Sequence, residues 1–211
     1  MSFTPAQLFE IMKDIVAGLG STAHRWGLMG YSMGGRIVLQ IAENHPGSID
    51  KLILLAPDGL KVNIWYWVAT RTRVGNLLFR WTMRRPGWLF VLLRFSHALR
   101  LVNPSIYKFA VHYIDDKKVR HELYTRWTVT RKFRPRPSVI AANIRDREIP
   151  VSLIYGQYDR IIRWERGERF RKMGMEATCR LILLDTGHQL LRPQYLGTLL
   201  PLVANDPDRT G

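Results

Sequence analysis

The chain has 211 residues, 46% of them hydrophobic, enough for one good-sized core or a core carrying an inserted subdomain. Its 32 Lys and Arg against 17 Asp and Glu give a net charge of +15, a balance that favours an anionic partner: a membrane surface, a nucleic acid or an acidic substrate. The single cysteine, Cys179, excludes an intramolecular disulfide and a thiolate metal cluster and fits a reducing, cytoplasmic setting.

The opening stretch, MSFTPAQLFEIMKD, does not read as a secretory signal, because it lacks a basic leading region and is interrupted by Glu10, Lys13 and Asp14. Thr4, Pro5 and Gln7 form a capping signal. Leu8, Ile11, Met12, Ile15, Val16 and Leu19 then recur at helical spacing, so a helix is predicted over 5–19, stopped by Gly20. RWGLMGYS reads as a short strand and MGGRIVLQIAENHPG as a helix that ends before Pro46 and Gly47. DKLILLAP, residues 50–57, is an unbroken apolar run of strand length and suits the middle of a parallel sheet.

The composition then shifts. Residues 58–149 carry 19 Lys and Arg against six Asp and Glu, with many Trp and Tyr. Their patterns are mostly helical. The most apolar of them, GWLFVLLRFSHALRLV over 87–102, is broken by Arg94 and Arg100 well short of a membrane span. RPRPS at 134–138 reads as a connector. Strand and helix signals resume with IPVSLIYG (149–156), RWERGERFRKM, CRLILLD (179–185) and GHQLLRPQYLGTLLPLV. The expected fold is α/β: a parallel sheet with flanking helices and an inserted helical segment. The expected divisions are 1–57, 58–146 and 147–211.

Gly30-Tyr31-Ser32-Met33-Gly34 has the pattern G-x-S-x-G between a predicted strand and a predicted helix, the setting this motif requires. A sharp turn there strains the backbone of Ser32 and lifts its hydroxyl above the sheet. Gly30 and Gly34 are expected to avoid collisions across the turn, and Gly35 to let the helix approach the sheet. The Met33 N–H opens the helix and is placed to donate to a developing oxyanion. A serine nucleophile needs a base, and the base an orienting group. Asp159, after the third strand, and His188, after the fourth, stand in the required order. Asp58 is a weaker candidate acid, explained equally by a turn, and Asp185 is expected to end its strand or support the loop. His24, His45, His97, His112 and His121 show no metal-ligand spacing. No cofactor or metal is called for.

GYSMGG, LILLAPDG, LIYGQYDRII and LLDTGHQLL together resemble the α/β-hydrolase fold family over the chain outside the insertion. The resemblance implies a Ser32, Asp159, His188 triad, a helical cap at 58–146, and acyl transfer to water through an acyl-serine. A serine at this position is similar to esterases, lipases, thioesterases and carbon–carbon bond hydrolases, with an ester or acyl small molecule as substrate. The family carries several strands before the elbow, whereas one helix precedes it here. No loop with the His-Gly that often supplies a second oxyanion donor is visible before the elbow. The sequence thus reads as the C-terminal part of such a fold: a portion of a longer protein, a sheet completed by a partner chain, or a degenerate, non-catalytic form.

In the insertion, Trp65, Trp67, Trp81 and Trp88 with Arg71, Arg73, Arg80, Arg84 and Arg85 read either as core aromatics with a solvated charged face, or as a pocket or rim that draws in anionic lipid or acyl substrates. The second reading makes the chain membrane-peripheral. The charge suits nucleic acid, but no recognisable nucleic-acid-binding motif accompanies it. The oligomeric state is left open.

Overall fold

The computed structural model describes residues 3–61, 64–102, 104, 107, 111 and 114–204, except the side chains of 64 and 65. His112 and the side chain of Trp65 lie outside the described residues. The chain divides into two compact units, one of Pro5–Lys61 and Phe133–Gly211, the other of Val62–Lys132 with Met1–Thr4.

The first unit is built on a parallel sheet of four strands, β1 (Trp26–Tyr31), β2 (Ile49–Leu55), β3 (Val151–Gly156) and β4 (Cys179–Leu184), in the order β1-β2-β3-β4. β3 is buried at all six positions and β2 at five of seven, which explains why both lack polar alternation. β1 is an outer strand whose Met29 is 43% exposed. Helix α1 (Pro5–Gly18) precedes β1, and Gly20 leaves it with φ 74°. Phe9 is its buried anchor, stacked on His45 at 3.8 Å and tilted against Trp26. Burial beside Phe9 lowers the His45 pKa. Helix α2 (Met33–Asn44) joins β1 to β2 and buries Val38, Leu39, Ile41 and Ala42. The shared core runs from these residues through Leu52–Leu55, Ile140, Ile144, Leu153, Ile154 and Leu199.

Among the described residues, β2 is followed in chain order by the helices α3 (Ile64–Arg71), α4 (Arg73–Arg84), α5 (Gly87–Ala98) and, further on, α6 (Lys117–Val129). All belong to the second unit. Thr72 caps α4 by accepting from the Gly75 N–H, and Asp116 caps α6 by accepting from the Val119 N–H, each at 2.9 Å. A side chain at Gly75 would collide with the Val68 carbonyl, so glycine lets α3 and α4 approach closely. Tyr66, Phe79, Tyr124 and Trp127 form an aromatic cluster between α3, α4 and α6. Arg120 ties α6 to the end of α4 by donating to the Met83 carbonyl at 3.1 Å.

Helix α7 (Pro137–Asp146) belongs with the sheet unit, although composition places it in the basic insertion. It buries Ile140, Ala141 and Ile144, and Asn143 donates to the carbonyls of Ala42 and Glu43 at the end of α2. Glu43 also holds Arg136, through its N–H at 2.6 Å and its Nε at 2.7 Å. Helix α8 (Glu165–Arg171) packs on β4 and α7, and α9 (Leu196–Ala204) closes the described chain.

Candidate active site

β1 runs out at Tyr31, and α2 begins two residues later at Met33. Ser32 makes the turn with φ 50° and ψ −115°, a left-handed conformation that costs a non-glycine residue about 1–3 kcal/mol. The tip of β2 holds it there. The Ser32 N–H donates to the Leu55 carbonyl at 2.9 Å, and the Asp58 N–H donates to the Ser32 carbonyl at 2.8 Å. Both backbone groups of the strained residue are thus tied to one short segment. Arg36, one turn into α2 and buried, pairs with Asp58 and fastens the same segment to the helix.

Two glycines allow this crossing. A Cβ on Gly30 would lie 2.8 Å from the backbone of Gly34 and Gly35, and one on Gly35 would lie 2.5 Å from Pro57 Cβ. The collision expected at Gly34 does not occur: a Cβ there meets nothing within 4 Å. Gly34 supplies the backbone that a Gly30 side chain would strike, and its own Cα faces open space.

Asp159 and His188 arrive on neighbouring strand ends. Asp159 follows β3, with its side chain fully buried. Its Oδ1 accepts from the N–H groups of Ile161 at 2.8 Å and Ile162 at 3.0 Å. That leaves Oδ2 facing Nδ1 of His188 at 2.7 Å. The Nε2 of His188 lies 3.2 Å from Ser32 Oγ. Three residues far apart in sequence therefore form one continuous run of hydrogen-bonding groups. The two loops are zipped together by Gln157 N–H to the Leu184 carbonyl at 2.8 Å and Tyr158 N–H to the Thr186 carbonyl at 3.0 Å.

Asp58 pairs with Arg36 rather than with the histidine. The Asp185 carbonyl accepts from the Tyr195 hydroxyl at 2.9 Å, a loop-supporting contact. His97 stacks on Tyr107, in the other unit. Cys179 is buried, which pushes its thiol up to about 12, so the cysteine is not primed as a nucleophile.

Three supporting residues escape sequence reasoning. Tyr31 donates its hydroxyl to the His188 carbonyl at 2.8 Å, and its ring lies 5.3 Å from the imidazole. Gly156 is needed because a Cβ there would collide with the Gly187 carbonyl, beside His188. Arg36 carries no local signal among the 32 Lys and Arg. Tyr31 occupies a variable position of the motif, and no neighbouring residue names its partner.

A parallel sheet with a serine on a strained strand-to-helix turn, and an acid and a histidine at the ends of later strands, defines an α/β-hydrolase. Solved structures share the fold. A thermophilic esterase from Thermogutta terrifontis is 15% identical, with a TM-score of 0.63 over 96% of this chain and 71% of that one. A hydrolase from Pseudomonas aeruginosa PA01 is 18% identical, with a TM-score of 0.56 over 98% and 74%. A carboxylesterase structure from Nitrososphaera gargenis is 15% identical, with a TM-score of 0.54 over 96% and 72%. No curated protein matches the chain. The family model described as serine aminopeptidase, S33, matches residues 8–193, and the chain belongs to that family of hydrolases.

Proposed function

We propose that the protein is a serine hydrolase that cleaves an ester or thioester with an apolar acyl part through an acyl-serine intermediate. The observation that supports this reading is the run from Asp159 through His188 to Ser32, at 2.7 and 3.2 Å. Ser32 Oγ attacks the acyl carbonyl carbon while His188 Nε2 takes its proton. The carbonyl oxygen gains negative charge, and the Met33 N–H at the positive end of α2 donates to it. The bond to the leaving group then breaks, and Nε2 returns the proton to that group. Water repeats the cycle: His188 Nε2 takes a proton from it as its oxygen bonds to the acyl carbon, the bond from that carbon to Ser32 Oγ then breaks, and Nε2 returns the proton to Oγ as the acid leaves. Asp159 keeps the Nδ1 proton in place and stabilises the imidazolium that forms in each half.

Fluorophosphonate treatment of the folded chain should modify Ser32, located by mass spectrometry, and His188→Ala should abolish the labelling. Ser32→Ala should lower ester turnover by at least about 10⁴. A folded chain that takes no label would instead favour the non-catalytic reading.

Tyr31 is a positioning residue in this scheme. Tyr31→Phe keeps the ring beside the imidazole and removes the bond to the His188 carbonyl. A lost hydrogen bond of about 1 kcal/mol predicts a fall in kcat of about fivefold with KM unchanged. A change in KM with constant kcat would place Tyr31 in substrate binding instead.

A further inference from the structure

An amphipathic helix of a globular unit normally turns an apolar stripe about 100° wide into a core. α4 and α5 turn theirs outward. At 3.6 residues per turn, Val74, Leu77, Leu78 and Trp81 share one side of α4. Val74 is 78% exposed and Leu77 67%. Trp88, Val91, Leu92 and Phe95 share one side of α5, continued by Leu99, with Val91 69% exposed and Phe95 64%. α5 buries none of its residues. Trp81 and Trp88 stack at 5.9 Å with their planes 19° apart, so the two stripes meet in one apolar surface.

Cations border that surface. Arg73, Arg80 and Arg84 run along one edge of the α4 stripe, and all three are exposed. Arg85, Arg94 and Arg100 are exposed on and beside α5. From residue 59 to residue 114 the sequence holds nine Lys and Arg and no Asp or Glu.

We propose that the α4–α5 surface docks on an anionic lipid bilayer, with its Trp, Leu, Val and Phe side chains at the boundary of headgroups and acyl chains and its arginines on lipid phosphates. Aliphatic side chains make up most of the stripes, and these bury well in acyl chains but do not stack on nucleobases. A second copy is a poor occupant, because each copy would bring the same arginines to the contact and no carboxylate from this segment to pair them. No helix among the described residues is long and apolar enough to cross a membrane, so the helices lie along the surface. The inference goes beyond acyl transfer and stands without it.

The test uses the full chain and vesicles of phosphatidylcholine alone or mixed equally with phosphatidylglycerol. Co-sedimentation should occur with the mixed vesicles and weaken as salt rises. Arg80→Ala and Arg84→Ala should each lower the partition coefficient about fivefold. Leu77→Ser with Phe95→Ser should remove the binding that persists at high salt. Ser32→Ala should bind like the parent chain, which separates this surface from the chemistry at the elbow. Equal binding to both vesicle types would overturn the proposal, as would no binding by a chain with native circular dichroism. A dimer in solution that ignores vesicles would assign the surface to self-association instead.

Discussion

Asp159→Asn should leave the protein folded and lower ester turnover about ten-thousandfold. The argument lies in what else the carboxylate holds. Oδ1 accepts from the N–H groups of Ile161 and Ile162, so in the variant this position must stay an acceptor, and the amide oxygen takes it. The amide NH₂ then faces His188 Nδ1, where the carboxylate oxygen lay at 2.7 Å. A donor there obliges Nδ1 to accept, which puts the imidazole proton on Nε2. An Nε2 that already carries a proton cannot take one from Ser32 Oγ. The loop bonds survive while the tautomer is inverted. The measurement pairs thermal unfolding with steady-state ester hydrolysis. Native-like unfolding with turnover within tenfold of the parent would sink the proposed role of Asp159.

Asp159→Ala removes the loop bonds as well, so it is the less informative variant. The contrast between Asn and Ala separates orientation of the histidine from integrity of the loop. It also bears on why the fully buried side chain is tolerated: three hydrogen-bonding groups converge on it, which offsets the cost of removing a carboxylate from water.

The parts of this site written into single short segments were legible in the sequence. Ser32 stands in a motif whose glycines are themselves the signal. Asp159 and His188 stand just after apolar runs of strand length, and a parallel sheet delivers such positions to one edge. The four strands appear within about two residues of where their apolar runs place them. What stayed hidden depends on partners distant in the chain. Tyr31 reaches the carbonyl of His188, 157 positions away, and nothing local to either residue announces it. Arg36 is one cation among many until β2 brings Asp58 beside it. α7 shares the basic composition of the preceding helices, yet its Ile140, Ala141 and Ile144 are buried in the sheet unit. The patterns of α4 and α5 read as helical in the sequence, but the pattern does not say where an apolar face points. Here that face meets water.

The two adjacent glycines of the elbow should behave oppositely, and the pair tests how the turn is held. A Cβ at Gly35 would stand 2.5 Å from Pro57 Cβ and 2.6 Å from Pro57 Cα. Pro57 has little room to yield. On one side of it the Ala56 N–H is bonded to the Ile154 carbonyl at 2.7 Å, and on the other the Asp58 N–H is bonded to the Ser32 carbonyl at 2.8 Å. Relief must come from moving α2 away from the tip of β2, which pulls on the bonds that keep Ser32 left-handed. Gly35→Ala should therefore destabilise the fold by about 1–3 kcal/mol and lower turnover more than its stability loss explains, because Ser32 Oγ shifts relative to His188 Nε2. Gly34→Ala places its Cβ in open space, on the first turn of a helix, where alanine is favoured over glycine by up to about 1 kcal/mol. Its urea midpoint should be unchanged or raised. Equal destabilisation by the two substitutions would mean that the turn is held by glycine's backbone freedom at both positions, and not by the single close contact between α2 and the end of β2.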